Sequence, residues 1–378
     1  MEALIMNITR KNFLINSGRF AFASSLLAVG CSGIVRRDLT LNNKKLNSSF
    51  PLTETECEIL RLASLAPSGH NTQPWTVKII EPGKWIIGAD SGRRLPGVDP
   101  DNRELLLSIG AFLENLHLAA GSFGYRAEQK VLAKRTSDRD LVSITLRKDR
   151  PVSFPFEKIT LRKTIRNGHL NQPLSESDIK LLTSSRESFH FYPAASREGR
   201  MLAEGTIEAN VIQAGRKSAV KELSEWIRFS DKDARKYRNG LTPESMEIHG
   251  ISGFVVRNFF NSDSVMSSGF KDKTVEGVKK QVASCGGWIV ITSEDSKVKT
   301  LIDTGRAFQR MCLETRGRNI AVHPMTQILE EIPFRDETAG LLGMNSRLQF
   351  VLRVSYVKRY SAPVSLRMPV SWFCTKHQ

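Results

Sequence analysis

The segment Leu65–Trp75, LAPSGHNTQPW, gathers small polar residues between two prolines. Ser68 and Asn71 offer a hydroxyl and an amide, and Gly69 lets the backbone come close to a ligand. Because short polar groups and backbone N–H groups suit a polar, planar ligand, this loop is a candidate binding site. The same residues also suit a turn from a helix into a strand, with Trp75 in the core, and both interpretations stay open at this point.

Sequence motifs for several other chemistries are absent. The chain has no GxGxxG, Walker A, HExxH or GxSxG sequence. Its seven histidines and five cysteines are dispersed, and none of them forms a CxxC pair or another spacing typical of metal ligands. A metalloenzyme and a serine hydrolase are therefore not predicted, and no side chain is assigned as a catalytic residue or a metal ligand.

The composition is that of a globular protein, with 378 residues, 40% of them apolar and 25% charged. The formal net charge of +16 favours an anionic partner such as a phosphorylated ligand. The basic residues are scattered and lack the interleaved aromatic residues of a nucleic-acid-binding segment, so a nucleic-acid partner is not predicted.

Residues 1–34 have the layout of an export signal. Arg10 and Lys11 precede an apolar stretch, Phe20–Val29, and small residues then lead to Cys31. The basic part resembles a twin-arginine signal, and LAVGC resembles a bacterial lipoprotein cleavage box. These features predict a periplasmic or exported protein, attached to a membrane only through this segment. The alternative is an amphipathic or disordered arm on a cytoplasmic protein.

After residue 52 the chain alternates helix-like and strand-like segments. Thr53, with Glu56 three residues later, forms a capping-box pattern at the start of a helix. WTVKII and KWIIGAD, joined by EPG, predict a hairpin. Apolar residues at helical spacing between residues 101 and 125 predict a long helix, and DLVSITLRKD predicts a further strand. The first half therefore has the order helix, hairpin, helix, strand.

The second half repeats part of this order. GGWIVITSED, SKVKTLIDTGRAFQRMCLETRG and SRLQFVLRVSYVK predict a strand, a helix and a strand. Aligning Gly110 with Gly305 also places Leu118 on Leu313, although few identities support the alignment. Between the halves, residues 224–273 mix aromatics, glycines and charges without clear periodicity. This segment is a candidate lid or, alternatively, a helical insertion packed on the surface.

LAPSGHNTQPW resembles the signature APSxxNxQPW of the FMN-dependent nitroreductase family, ITLRKTIRNGHL resembles its basic motif, and SAPVSLRMPV resembles its closing segment. The first match implies a set of residues that approach the flavin ring of bound FMN: Pro67, Ser68, Gly69 and Asn71. The other two imply a set that binds the FMN phosphate: Arg162, Lys163, Thr164, Arg166 and Arg367. Guanidinium groups that bind two oxygens at once, together with a hydroxyl, suit a phosphate.

The order of these motifs is similar to that of the single-chain, two-repeat Acg-type branch of the family. The APSxxNxQPW motif occurs only in the first half and the basic motif only in the second. The resemblance implies an α+β fold with antiparallel-rich mixed sheets and surrounding helices. In this arrangement, repeats 53–150 and 157–373 form a monomer that mimics a homodimer and keeps one flavin site.

The resemblance also implies an NAD(P)H-dependent oxidoreductase that passes two electrons through FMN to a nitroaromatic, quinone or similar small molecule. The cofactor does the chemistry in such an enzyme, and the protein binds and orients it. If residues 224–273 close over the flavin, the alternative is an FMN storage or sequestration protein without turnover.

Overall fold

The computed structural model describes residues 33–35, 38–39, 52–183, 187–332 and 334–376. Most of the predicted export signal, including Cys31, lies outside these residues, so export and lipid attachment stay predictions. The helices are α1 Glu54–Ala63, α2 Arg103–Ser122, α3 Glu157–Thr160, α4 Glu176–Thr183, α5 Arg197–Gly215, α6 Lys217–Trp226, α7 Asp231–Tyr237, α8 Gly250–Phe259, α9 Ser262–Val265, α10 Ser268–Ala283, α11 Val298–Thr315, α12 Gln327–Glu330 and α13 Phe334–Leu341. The strands are β1 Trp75–Glu81, β2 Lys84–Ala89, β3 Tyr125–Val131, β4 Asp140–Lys148, β5 Phe189–Pro193, β6 Gly287–Ser293, β7 Ile320–Pro324, β8 Arg347–Tyr356 and β9 Cys374–Lys376.

Local sequence signals account for the first elements. Thr53 Oγ1 accepts a hydrogen bond from the backbone N–H of Glu56 (3.2 Å), and Glu56 Oε2 accepts one from the backbone N–H of Thr53 (2.7 Å). This confirms the predicted capping box of α1. β1 and β2 form the predicted hairpin, and the turn between them places Gly83 at φ +73°, a conformation that glycine adopts without strain.

One sheet has the strand order β3-β4-β2-β1-β9. Its strands are antiparallel except for β9, which comes from the end of the chain and pairs in parallel with β1 through Val77 and Cys374. Trp75 and Val77 of β1 are fully buried. β3 is not among the predicted strands. Only Ala127 in it is buried, so the apolar alternation that marks a strand is weak there.

The second sheet is antiparallel, with the strand order β5-β6-β8-β7. Its central strands, β6 and β8, are the two strands predicted for the second half. Nearly all of their residues are buried, which matches their almost continuous apolar sequence. The short outer strands β5 and β7 carry a weaker signal and are not among the predicted elements.

Helices α2 and α11 join the two halves of the chain. They cross at Gly110 and Gly305, where a side chain on either glycine would collide with the backbone of the other helix. Inside this contact, Gln309 Nε2 donates to Asn115 Oδ1 at 2.8 Å. α2 is long and apolar enough to span a bilayer, but most of it is buried inside the protein, as in the core helix of a globular domain.

Residues 224–273 are largely helical, because α7, α8, α9 and the start of α10 fall within them. Their secondary structure is therefore that of the alternative prediction, a helical insertion. The segment contacts both predicted binding motifs: Asn71 Nδ2 donates to Gly240 O (3.0 Å), and Arg166 Nη1 donates to Ser245 O (2.8 Å). It is thus placed against both halves of the predicted site, and its action as a lid stays a prediction.

The fold is α+β, with one mixed and one antiparallel sheet surrounded by helices, as the sequence predicts. Residues from both sheets and from α2 and α11 form the largest buried apolar cluster. The organisation into two repeats that mimic a homodimer stays a prediction.

Candidate functional site

The loop that follows α1 has a backbone that few residues other than glycine adopt. Gly69–Asn71 form one 3₁₀ turn, and three residues have positive φ angles: His70 at 46°, Asn71 at 54° and Gln73 at 51°. Each left-handed residue other than glycine costs roughly 1–2 kcal/mol. Bonds from the rest of the protein must therefore hold the loop in this shape.

Asn71 and Gln73 supply these bonds. Asn71 Nδ2 donates to Leu366 O (3.2 Å), and Gln73 Oε1 accepts from the backbone N–H of Met368 (3.0 Å). Within the loop, the backbone N–H of Gln73 donates to Ser68 Oγ (2.9 Å). Asn71 is 7% exposed and Gln73 is fully buried. Both amides thus fix the loop to the segment that leads into the C-terminal strand.

Arg367 belongs to the same buried network. Its Nη2 donates to the carbonyl oxygens of Leu65 (3.1 Å) and Ala66 (3.0 Å), and its Nη1 donates to Asn71 Oδ1 (2.9 Å). The side chain is only 3% exposed. These contacts connect Arg367 to the loop, and its contact with the phosphate stays a prediction.

The basic segment contains a buried guanidinium, and no acid in the described part of the chain is bonded to it. Arg162 is 9% exposed, its Nη1 donates to Thr164 Oγ1 (3.5 Å), and its Nε has no hydrogen-bond partner among the described residues. Burial lowers the pKa of Arg162. The pKa of Arg166 is lowered as well, by burial and by the nearby charge of Arg162, and the charge of Glu247 offsets part of this effect. Because a buried cation needs a compensating anion, this pair suits an anionic ligand.

Lys163 has its partner within the protein. Its Nζ lies 3.2 Å from Glu247 Oε1, with both side chains 7% exposed, and donates to Ser361 Oγ at 2.8 Å. Tyr360 Oη donates to the carbonyl oxygen of Lys163 (2.9 Å). Glu247 therefore compensates the charge of Lys163, which holds the 224–273 segment against the basic segment.

One cavity of about 460 Å³ joins the two motifs. Small-molecule sites typically have volumes of roughly 300–1,000 Å³. Among the predicted site residues, those that line the cavity are Pro67, Ser68, Gly69, Thr164 and Arg166. Those that do not line it are Asn71, Arg162, Lys163 and Arg367. Arg162 is connected to the cavity wall through Thr164.

Two histidines on the cavity wall are not among the predicted residues. Arg353 Nη2 donates to His323 Nδ1 (3.2 Å), which leaves the ring proton on Nε2. Burial and the charges of Arg353 and Arg166 hold the pKa of His323 well below its ordinary value. Burial and Arg166 lower the pKa of His70 to about 4. Both rings are therefore neutral at pH 7. His70 stands at an unspecified position of the APSxxNxQPW motif, and no motif contains His323.

Glu104 and Glu330 also line the cavity, and their carboxyl groups are close enough to shift each other's pKa. Burial and the charge of Glu330 raise the pKa of Glu104 well above its ordinary value, and burial raises that of Glu330. The two residues lie on α2 and α12, in different halves of the chain, so sequence spacing could not associate them.

The cavity wall therefore has two chemically different parts. The cationic part consists of Thr164 and Arg166, with Arg162 buried behind them, and the carboxylate part consists of Glu104 and Glu330. The cationic part can bind a phosphate through N–H and O–H donors. The turn Pro67–Gly69 forms a further part of the wall and presents a short loop without bulky side chains.

No protein-family model matches the chain. Two proteins of Mycobacterium tuberculosis are similar to it over most of its length. "Putative NAD(P)H nitroreductase Rv3131" is 26% identical over 329 residues, which cover 84% of this chain and 90% of that protein. "Putative NAD(P)H nitroreductase acg" is 24% identical over 321 residues, which cover 80% and 89%.

A solved structure of the FMN-dependent nitroreductase NfnB from Mycobacterium smegmatis, in complex with NADPH, is 13% identical and covers 59% of this chain and 97% of that one. Its TM-score of 0.38 is too low to support an argument about function. The relation therefore rests on the sequences, which confirm the resemblance that the motifs indicate. Over about four fifths of its length, this chain is related to proteins that carry the name NAD(P)H nitroreductase.

Proposed function

We propose that the protein is an NAD(P)H-dependent FMN oxidoreductase that reduces a nitroaromatic, quinone or similar small acceptor. The observation that carries the proposal is the cationic part of the cavity. There, buried Arg162 bonds Thr164 and lies close to Arg166, and none of the described acids is bonded to it. The similarity to proteins named NAD(P)H nitroreductases supports NAD(P)H as the hydride donor.

The residues of the cationic part fit the phosphate of FMN. Glu247, the acid beside them, already pairs with Lys163 and accepts the backbone N–H of Arg166 (3.0 Å). The positive charge of Arg162 is therefore left for a ligand. Thr164 and Arg166 would contact the phosphate, and Arg162 would compensate its charge from behind. When bound, FMN supplies the hydride and electron transfer, and the chain supplies binding and orientation.

The turn Pro67–Gly69 would hold the ring of the cofactor. The wall is tight at Gly69, where a Cβ would lie 3.0 Å from Leu95 Cδ1 and 3.5 Å from Glu104 Oε2. A larger residue at this position would therefore press on the cavity lining. His70 and His323 on the cavity wall are neutral, so they can form hydrogen bonds with a ligand without adding charge.

We also propose that residues 53–150 and 157–373 are two repeats of one monomer that mimics a dimer, with residues 224–273 as a lid. The packing of α2 against α11 supports the repeats, because these helices hold corresponding places in the two predicted repeats. Leu241, Met246 and Lys273 of the segment line the cavity, which supports the lid. The hydrogen bonds from residues 224–273 to Asn71 and Arg166 hold this segment against the site. They favour the second candidate function, FMN storage without turnover.

Anaerobic reduction of the purified protein separates these two functions. The enzyme would contain FMN, identified by mass spectrometry of the extract, and NADH or NADPH would bleach its flavin absorbance. A storage protein would contain FMN that dithionite reduces but neither nicotinamide reduces. A colourless protein that takes up no FMN on incubation would contradict both functions.

A further inference from the structure

We propose that the carboxylate part of the cavity is a subsite for a cationic N–H donor, an amidinium or primary ammonium group, on an aromatic ligand. The cation preference is a property of the chain alone. The identification of this ligand as the electron acceptor rests on the proposed function.

When both are ionised, the two carboxyl groups carry one more negative charge than the cation bonded to them compensates. Glu104 Oε1 accepts from Arg103 Nη2 (2.7 Å), and Arg103 is the only cation bonded to either carboxyl group in the described part of the chain. Glu330 accepts from uncharged donors, Thr326 Oγ1 (2.8 Å) and Gln213 Nε2 (2.5 Å). The raised pKa of Glu104 indicates that a proton supplies the missing positive charge while no ligand cation is bound. A ligand cation bound by the two carboxylates would take the place of this proton.

Two amide residues of the same wall carry buried oxygens without a hydrogen-bond partner among the described residues. Asn210 lines the cavity and is 4% exposed, and its Oδ1 has no hydrogen-bond partner among the residues described. It precedes Gln213 by three positions on α5, so both side chains lie on one face of that helix. Gln327 also lines the cavity, and its buried Oε1 lacks a partner in the described part of the chain as well. Because a buried acceptor without a donor is unfavourable, a ligand with several N–H groups toward which these amides turn would be favoured.

The surrounding surface favours an aromatic body for this ligand. Phe308 and Phe350 line the cavity with their rings stacked at 4.2 Å between centroids, and Leu107 and Ala111 extend the apolar wall. Glu104 Oε2 lies beside the turn at Gly69, 3.5 Å from where a Cβ of that glycine would be. A cation bound to Glu104 would therefore place its aromatic body next to the turn that is predicted to contact the flavin ring.

Calorimetric titration of the purified full chain with benzamidine and with benzamide tests the cation preference. The two probes have nearly the same shape and differ in charge. We expect benzamidine to bind at least about tenfold more tightly, the effect of one well-placed charged hydrogen-bond pair. Equal affinities in the unmodified protein would overturn the proposal, whatever any variant does.

Substitutions of the two carboxylates test their assignment. Glu330→Gln and Glu104→Gln should each reduce the preference for benzamidine over benzamide to about threefold or less. The control variant, Glu128→Gln on exposed strand β3, should retain the full preference. Thermal unfolding of each variant shows whether it is folded, and one folded carboxylate variant is sufficient for this test. A preference that persists in a folded carboxylate variant would overturn the assignment.

Reduction of 4-nitrobenzamidine and 4-nitrobenzamide then tests the link to the proposed function, with the FMN content measured on the same preparation. We expect kcat/KM to favour the amidine by about tenfold, and Glu330→Gln to remove this preference. An FMN-containing protein that reduces both probes equally would overturn the acceptor subsite and leave the proposed function standing. A protein without FMN that still prefers benzamidine would contradict the proposed function and leave the cation subsite standing.

Discussion

Gly110 of α2 and Gly305 of α11 contact each other at the crossing of their helices through reciprocal interactions. A Cβ on Gly110 would lie 2.1 Å from Ile302 O, and a Cβ on Gly305 would lie 2.1 Å from Leu107 O. The alignment that places Gly110 on Gly305 also places Leu107 on Ile302. Such exchange of equivalent contacts is the property of a two-fold interface. It supports the proposal that the chain folds two repeats as a dimer mimic.

Replacing Gly305 by alanine is expected to lower the free energy of unfolding by about 1–3 kcal/mol, because the added methyl group would force the two helices apart. Urea unfolding measures this change. Gly269→Ala in α10 is the matched control, since a Cβ there would meet no atom within 4 Å, and it should be neutral or slightly stabilising. Equal unfolding midpoints for the two variants would contradict the close crossing.

Arg162→Ala is expected to weaken FMN binding by about tenfold, because the phosphate would lose the guanidinium charge that lies behind Thr164 and Arg166. Fluorescence of the released flavin measures the dissociation constant. Arg162→Lys keeps the charge and should retain part of the affinity, and Arg147→Ala on exposed strand β4 should retain all of it. An unchanged dissociation constant for Arg162→Ala would place the phosphate elsewhere.

Arg367→Ala is expected to destabilise the protein by about 1–3 kcal/mol, because the carbonyl oxygens of Leu65 and Ala66 lose their charged donor. Hydrogen exchange at backbone amides of residues 65–75 should become faster, and flavin binding should weaken only as a result of the looser loop. If FMN affinity falls while exchange and unfolding stay unchanged, Arg367 contacts the phosphate after all.

His169 is expected to make stability depend on pH. Burial and Arg353 lower its pKa to about 4 in the folded protein, whereas the unfolded chain binds the proton near pH 6.5. The contribution of the neutral ring is complete above about pH 6.5 and is lost as the pH falls toward the folded pKa, by about 1.4 kcal/mol per pH unit. The difference between the urea unfolding midpoints at pH 7 and pH 5 should be smaller in His169→Gln than in the unmodified protein. The same difference in the variant and in the unmodified protein would contradict the lowered pKa.

Features that depend on neighbouring residues were predictable from the sequence. The capping box of Thr53 and Glu56 and the hairpin after Trp75 need only residues a few positions apart. The two open interpretations of the loop are both represented in the fold. Trp75 is a fully buried core residue, and Pro67–Gly69 form part of a cavity wall.

Which predicted cations face a ligand could not be read from the sequence. Thr164 and Arg166 reach the cavity, whereas Lys163 pairs with Glu247 and Arg367 bonds the carbonyl oxygens of the loop. A cation is compensated by whichever anion or carbonyl oxygen the fold brings to it. That partner comes from another element of the structure.

The sequence by itself determined the capped start of α1, the hairpin of β1 and β2, the buried strands β6 and β8, and the loop that resembles a flavin-binding motif. Only the tertiary structure paired β9 with β1, brought Glu104 to Glu330 and left Arg162 without a bonded acid among the residues that it describes. Backbone capping, turns and apolar periodicity act over a few residues. Burial and charge compensation depend on segments that are far apart in the chain and meet only in the folded protein.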